Sequence, residues 1–305
     1  VNSYTYLGFT FTTRLSCKLG TAAFDTEGKK AMHLLSRVYL KCKEMSQTTF
    51  FKICDAKIQS ILLYSSEVWE LHRLENIGKV HLLACKRYLG VPLKTQNKLV
   101  YSELGRYPLF INTTVRTIKY WLSLVQIEAN RLPKQCYQMQ LWLDNRGKKC
   151  WVTDVKNILC STGFQFVWLN QGVDNEHNFL RTFKQRLIAI FMQEWSSIIG
   201  EKNRYELYRS FKDIFGKESY LTNIDIVCFR VTLTQVRLGV LPINCNMHRY
   251  SENPLDKKCT CGYHTESEHH FIFICPLYTD LRQRFLKDFL NLPLSRLLDG
   301  KTEYV

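Results

Sequence analysis

The stretch SQTTFFKICDAKIQSILLY, residues 46–64, has the residue spacing of a helix with one apolar face. Its apolar side chains recur every three or four residues, which is the period of an α-helix and not that of a strand. They are Phe50, Ile53, Cys54, Ile58, Ile61 and Leu62. Ser46 precedes the pattern and can accept a hydrogen bond from one of the first free N–H groups. We therefore predict an amphipathic helix that packs one face into a core.

The same period continues through most of the chain and predicts a mainly α fold. Further helices are predicted over residues 26–42, 77–89, 98–104, 115–130, 135–143, 152–160, 175–199, 205–215, 224–238 and 278–290. Residues 4–12 alternate apolar and small polar side chains, which is typical of a strand or hairpin. The aromatic segment 164–169 fits either a strand or a packing turn.

The polar sequence NRGKK, residues 145–149, marks the most evident boundary between helical regions. We predict a helical bundle with the short N-terminal hairpin or strand over residues 1–147. A second helical region, which connects the bundle to the C-terminal part, is predicted over residues 148–250. A small module that contains a cysteine cluster and the helix after it is predicted over residues 251–292.

Composition favours a polyanionic partner. The 305 residues include 46% hydrophobic ones, enough for a buried core, and carry a formal net charge of +15. A basic balance on a folded chain is typical of proteins that bind nucleic acid, although an ordinary basic globular protein is the alternative. No apolar run approaches the ~18 residues of a membrane span, so no membrane insertion is expected.

Twelve cysteines are present, and most are scattered. Residues 1–20 lack the pattern of a secretory signal, so we expect these cysteines to be reduced and partly in the core, as at Cys54 and Cys85. A cytoplasmic or nuclear location follows from that expectation.

The late sequence KKCTCGYHTESEHHFIFICPLY, residues 257–278, predicts a metal site. Cys259, Cys261, His270 and Cys275 supply three thiolates and one imidazole, the ligand set of a closed, structural zinc site. His264 and His269 are rival ligands at this stage. Three reduced cysteines in an apolar pocket are the alternative to a metal site.

Basic side chains flank the cluster on its N-terminal side. Arg237 and Arg249 precede it, and Lys257 with Lys258 adjoin its first thiolate. Cations and aromatic side chains beside a small metal module suit phosphate contact and base stacking. These four residues are our predicted nucleic-acid contacts, with ordinary surface charge as the alternative.

Catalytic motifs are not evident. The chain lacks a nucleophile elbow, a phosphate-binding G-x-x-x-x-G-K-[ST] loop, an H-E-x-x-H pair and any Asp-Asp dipeptide. Two-metal phosphoryl transfer needs carboxylates held together, whereas the acidic residues here are dispersed. We predict no catalytic residue, and a nuclease that uses dispersed carboxylates such as Glu67, Glu103 and Asp225 is a minor alternative.

Several motifs together resemble the C-terminal part of reverse transcriptases of non-LTR (LINE-type) retrotransposons. The segment RLGVLPI, then HRY, KKCTCG and ESEHHFIFICPLYTDLR, resembles the zinc-binding segment of that family. ILLYSSEVWEL, residues 61–71, is similar to the thumb helix, with Ser65 where the family usually has glycine. Tyr6-Leu7-Gly8 resembles the turn that follows the polymerase palm, and KRYLGVPLKTQNKLVYSELGRYPL, residues 86–109, is also similar.

This resemblance implies a thumb-like bundle and a zinc-binding module that grip template RNA, RNA–DNA hybrid or DNA. In the family the polymerase carboxylates lie in the palm, upstream of Tyr6-Leu7-Gly8, so an N-terminal polymerase portion of the same polypeptide is an expected partner. Whether this segment of an RNA-directed DNA polymerase has activity of its own is uncertain. A zinc-stapled helical scaffold for protein–protein interaction is the alternative function.

Overall fold

The computed structural model describes residues 3–6, 8–12, 18–42, 45–69, 74–201 and 205–298. Within these ranges the protein is mainly helical, with one short antiparallel sheet at the N-terminus, as the sequence predicts. The sheet is a hairpin of β1 (Ser3–Tyr6) and β2 (Phe9–Thr12), in which Tyr4 pairs with Phe11. No helix among the described residues combines the length and apolar character needed to cross a membrane.

The helices differ widely in length. The earlier ones are α1 (Lys18–Lys41), α2 (Gln47–Ile53), α3 (Ser60–Leu62), α4 (Ser66–Trp69), α5 (Leu74–Leu89), α6 (Asn97–Leu104), α7 (Leu109–Gln126) and α8 (Leu132–Asn145). The later ones are α9 (Trp151–Ser161), α10 (Gln165–Leu169), α11 (Glu176–Glu201), α12 (Glu206–Arg209), α13 (Tyr220–Asn223), α14 (Val227–Arg237), α15 (Asn244–Met247), α16 (Thr279–Phe285) and α17 (Leu294–Leu298). Cys54–Gln59 and His270–Ile274 are π-helical, and Pro254–Lys257, Pro276–Tyr278 and Lys287–Phe289 are 3₁₀ turns.

The helix predicted from the opening stretch is present in three consecutive parts. α2, the π-helical segment Cys54–Gln59 and α3 follow one another without a break. The hydroxyl of Ser46 accepts a hydrogen bond from the backbone N–H of Thr49 at 3.1 Å, which confirms the predicted N-cap. Phe50, Cys54 and Ile58 of the predicted face are at most 1% exposed, whereas Ile53, which was also predicted to lie on it, is 36% exposed.

Three predicted elements are corrected. The first helix begins at Lys18 rather than residue 26, and it includes Gly20, where an added Cβ would lie 2.6 Å from the ring of Phe9. A glycine within a helix is thus explained by packing. Residues 165–169 form α10 and not a strand. The helix predicted over 205–215 is reduced to α12, Glu206–Arg209.

The described residues group into two compact units, each built from separate segments of the chain. The first unit lies within Val1–Arg37, Phe51–Ala84 and Tyr107–Glu194, and the second within Val38–Phe50, Cys85–Arg106 and Trp195–Val305. The three sequence ranges predicted as domains remain a prediction.

Aromatic side chains form much of the core of the first unit. Trp121 is fully buried, stacks on Trp168 at a centroid distance of 5.7 Å, and donates its indole N–H to the hydroxyl of Tyr137 at 3.0 Å. These contacts join α7, α8 and α10. Close approach of α1 to α3 depends on Gly28, where a Cβ would lie 2.5 Å from Leu62.

The core of the second unit combines aromatic and charged groups. Tyr39, Phe50 and Tyr88 pack with ring centroids 5.1–5.3 Å apart. Helix α6 ends at Gly105, which has a φ of +60° and lies so close to Lys217 that a Cβ would be 2.4 Å from its backbone nitrogen. This unit contains all of the described residues of the cysteine cluster.

Candidate metal centre

The four predicted ligands converge in the region that we call the Cys/His module, residues 251–292. The ligand atoms of Cys259, Cys261, His270 and Cys275 all lie within 4.8 Å of one another. The four residues therefore form a group that could hold a metal ion.

Local turns bring the ligands together. The backbone N–H of Gly262 donates to the carbonyl of Cys259 at 2.9 Å, and the N–H of Cys259 donates to the carbonyl of Tyr263 at 2.9 Å. Gly262 has a φ of +95°, which a residue with a Cβ rarely adopts. Such a tight turn allows two cysteines with one residue between them to face the same point. The π-helical turn His270–Ile274 then spaces His270 from Cys275, whose N–H donates to the carbonyl of His270 at 2.8 Å.

The distances match a tetrahedral arrangement of sulfur and nitrogen ligands. The sulfurs of Cys259 and Cys275 are 3.8 Å apart, and Nε2 of His270 lies 3.4 Å from the sulfur of Cys261. Metal–ligand bonds of ~2.3 Å to sulfur and ~2.0 Å to nitrogen give a tetrahedral sulfur–sulfur edge of about 3.8 Å and a sulfur–nitrogen edge of about 3.5 Å. The geometry is consistent with zinc.

Burial separates His270 from its two rivals. His270 is 2% exposed, whereas His264 and His269 are both exposed. The ring of His270 stacks on Tyr263 at a centroid distance of 4.3 Å and an angle of 5°. Tyr263 thus holds the imidazole in a fixed plane, with Nε2 directed at the cysteine sulfurs. Cys259 and Cys275 are also buried, at 3% and 0% exposure.

Two charged side chains that the sequence analysis did not assign support the group. Arg282 donates to the carbonyls of Ile272 at 3.1 Å and of Cys275, so it satisfies acceptors at the end of the π-helical turn. The carboxylate of Glu266 accepts the backbone N–H of Asn244 at 2.7 Å and lies 3.6 Å from the sulfur of Cys259. Glu266 lies within the cysteine cluster and Arg282 lies seven residues after its last ligand, and the sequence does not indicate these contacts.

The pKa values of the two cysteine thiols in the first pair shift in opposite directions. Burial, with a further contribution from Cys275, raises the pKa of the Cys259 thiol to about 11. A hydrogen bond from the backbone of Tyr263 lowers the pKa of Cys261. A bound dication favours the thiolate form of each ligand, so metal binding releases protons and becomes stronger as the pH rises.

Arg237 does not lie on a surface, contrary to its predicted role as a nucleic-acid contact. Its side chain is fully buried, and its guanidinium donates to both carboxylate oxygens of Glu103, at 3.1 and 3.2 Å. It also donates to Glu218 at 2.6 Å and to the carbonyl of Leu298. Burial lowers the pKa of Arg237, but Glu103, Tyr220 and Glu218 together more than offset this and leave the pKa above its usual value. Arg237 is therefore a structural cation whose charge is compensated.

The other three predicted contacts are accessible to differing degrees. Lys258 is exposed, while Arg249 and Lys257 are half-buried. Arg249 donates to two neutral acceptors, the carbonyl of Gly239 at 2.7 Å and the side chain of Asn246 at 2.6 Å. None of the three forms an ion pair with a residue that the structure describes. Their charges remain available to an anion.

The fold and the site thus define a mainly helical protein with a Cys₃His group that could bind a metal ion. Comparison of the chain with protein-family models, with curated proteins and with solved structures finds no significant match.

Proposed function

We propose that this chain is a nucleic-acid-binding C-terminal segment of a non-LTR retrotransposon reverse transcriptase, and that it grips template RNA and RNA–DNA hybrid. The motifs that resemble this family support the proposal, and so does the net charge of +15. Bond formation is assigned to carboxylates of the polymerase palm, and none of the residues described above is given a catalytic role.

The observation that carries the proposal is the association of uncompensated cations with a Cys₃His group. Lys258 is exposed and directly precedes Cys259, the first of the four ligands. Tyr250, which is 86% exposed, follows Arg249 and offers a ring on which a base can stack. Small metal modules with nearby cations and an exposed aromatic ring suit contact with phosphates and unpaired bases.

The metal in this proposal is zinc, in a structural role. Three cysteines and one histidine fill all four tetrahedral positions, which leaves no open position for a substrate or an activated water. Zinc would hold the turn at Cys259–Cys261 against the π-helical turn, and so fix the position of Lys258 and its neighbours.

The direct test compares the protein with its double charge-reversal variant Arg249→Glu/Lys258→Glu. Binding of a fluorescently labelled single-stranded RNA is measured by anisotropy with zinc-loaded protein. We expect the variant to bind at least tenfold more weakly, because each reversal replaces an attraction to phosphate by a repulsion. The control is Lys29→Glu/Lys30→Glu, which reverses two charges on α1 that already pair with Asp25 and Glu27. Equal affinities for the two variants would refute the proposed interface.

A protein-interaction scaffold is the second candidate, and one observation favours it. Leu277, Leu281 and Phe285 in the Cys/His module are 54–64% exposed. Several exposed apolar side chains in one small region are typical of a surface that binds another protein. This function predicts that the same protein binds neither RNA nor hybrid at low salt. The anisotropy measurement therefore distinguishes the two.

A further inference from the structure

A cavity of about 330 Å³ lies in the second unit, beside the Cys/His module. Its wall includes Arg249, Lys257 and Glu268, together with apolar groups of Tyr205, Leu207 and Leu238. Sites for small organic ligands usually occupy ~300–1,000 Å³ and combine apolar walls with a few polar groups. The cavity therefore has room for one small ligand but not for a duplex.

The charge in the cavity is positive. Arg237 also contributes to the wall, but Glu103 and Glu218 compensate its charge. Arg249 and Lys257 have no carboxylate partner among the described residues. Glu268 is the acidic group of the wall, and one of its oxygens accepts a hydrogen bond from the Asn246 side chain at 2.6 Å.

The cations keep hydrogen-bond donors free. Arg249 uses Nη2 for its bonds to Gly239 and Asn246, while its Nε and Nη1 groups donate to no described residue. Lys257 uses only backbone groups: its carbonyl accepts the N–H of Glu266 at 2.8 Å, and its ammonium donates to no described residue. A guanidinium and an ammonium with free donors in one cavity are suited to the oxygens of a phosphate.

The apolar part of the wall indicates that the ligand carries an apolar group in addition to a phosphate. Leu207, Leu238 and the ring of Tyr205 provide contacts for a flat, largely apolar group. A nucleotide combines a phosphate with a flat ring that can pack against such a wall. A lone inorganic phosphate would leave these apolar contacts unused.

We propose that this cavity binds one nucleotide of a single-stranded RNA or DNA, with its phosphate held by Arg249 and Lys257. This inference deepens the proposed function and rests on it for the source of the nucleotide, which is an unpaired position of the template. A free nucleotide has the same chemistry, and the experiment separates the two sources. The site selects single strands because a base within a duplex cannot enter a cavity of this size.

The experiment uses two neighbouring lysines as a matched pair. Lys257 lies in the cavity wall, whereas Lys258 is exposed and outside it. Affinities of the zinc-loaded protein, Lys257→Gln and Lys258→Gln are measured by anisotropy with a labelled single-stranded RNA and with an RNA–DNA hybrid. Zinc content and melting temperature confirm that each variant is folded. We expect Lys257→Gln to weaken single-strand binding about tenfold or more, with less than about a twofold effect on the hybrid. Lys258→Gln should weaken both by similar factors.

Competition with adenosine monophosphate separates the sources of the nucleotide. If adenosine monophosphate displaces the single strand, the site also accepts a free nucleotide. If it does not, but Lys257→Gln still loses affinity for the single strand selectively, the site requires a strand. Equal effects of the two substitutions on both nucleic acids would overturn the proposal. If neither polymer binds the unaltered protein, the proposed function fails. Calorimetric titration with adenosine monophosphate then tests separately whether the cavity binds a nucleotide. Binding that is lost in Lys257→Gln would support the nucleotide site, and no binding would overturn it.

Discussion

Replacing Arg237 by methionine should destabilise the second unit severely without acting through nucleic acid. The substitution keeps much of the side-chain volume but removes the cation that pairs with two carboxylates. Glu218 would retain the ammonium of Lys212, with which it forms a second ion pair. Glu103, whose side chain is fully buried, would keep only neutral partners among the described residues, such as the hydroxyl of Tyr220 at 2.7 Å. Breaking a buried pair in this way costs about 3–5 kcal/mol, a large part of the ~5–15 kcal/mol that keeps a domain folded.

Guanidinium denaturation followed by circular dichroism measures this effect. Lys258→Met is the matched control, since it removes the same charge from an exposed position and should change the free energy of unfolding by no more than about 0.5 kcal/mol. Arg237→Met should have a clearly lower denaturation midpoint. A loss below about 1 kcal/mol would mean that Glu103 does not depend on Arg237, and the assignment of Arg237 as a structural cation would be refuted.

Three further predictions follow from the metal group, the tyrosines and one glycine. Cys275→Ser should lose most of the bound zinc and lower the melting temperature, whereas Cys228→Ser, an exposed cysteine outside the group, should retain one zinc per chain by atomic absorption. Burial raises the pKa of Tyr88 to about 12, so the folded protein holds a proton that the unfolded chain loses near pH 10. The free energy of unfolding should therefore fall as the pH rises from 10 to 12. Equal free energies of unfolding from urea titrations at pH 9 and pH 11.5 would contradict this. Gly105→Ala should cost at least ~1–3 kcal/mol in the same denaturation assay, because its φ of +60° is unfavourable for alanine and the added Cβ would meet the backbone of Lys217 at 2.4 Å; an unchanged midpoint would show that the loop moves aside freely.

Local features of the fold could be predicted because their causes are local in sequence. The helix predicted over residues 77–89 is α5, Leu74–Leu89, and it ends before Gly90, which has a φ of +65°. The hairpin follows from alternation over residues 4–12. The segment 164–169 could not be assigned, because a short aromatic run fits a strand or a buried helix equally well.

The three cysteines of the metal group could be predicted from the sequence, but the histidine that joins them could not. Cys259, Cys261 and Cys275 are the cysteines of one short segment, so their convergence needs little long-range information. The spacing admits His264, His269 and His270 alike. The burial of His270 and the approach of its Nε2 to the sulfur of Cys261 distinguish it, and both depend on packing that the spacing does not reveal.

The error at Arg237 has a different cause. Its partner Glu103 is 134 residues away in the chain. A basic residue in a basic segment is usually exposed, and no local pattern indicates that a distant carboxylate will bury it. Long-range ion pairs of this kind become visible only in the folded structure. For the same reason the cavity at Arg249 and Lys257, which also includes Tyr205, has no signature in the sequence.

The measurement that tests the central proposal most directly is the affinity of the zinc-loaded protein for a labelled RNA–DNA hybrid at several salt concentrations. We predict tight binding at low salt and a steep linear fall of the logarithm of affinity with the logarithm of salt concentration. Each phosphate contact contributes about −0.9 to that slope on a duplex, so two or more contacts should give a slope of roughly −2 or steeper. Absence of binding at low salt, from a sample shown to be folded and to contain zinc, would contradict the proposal that this chain grips nucleic acid.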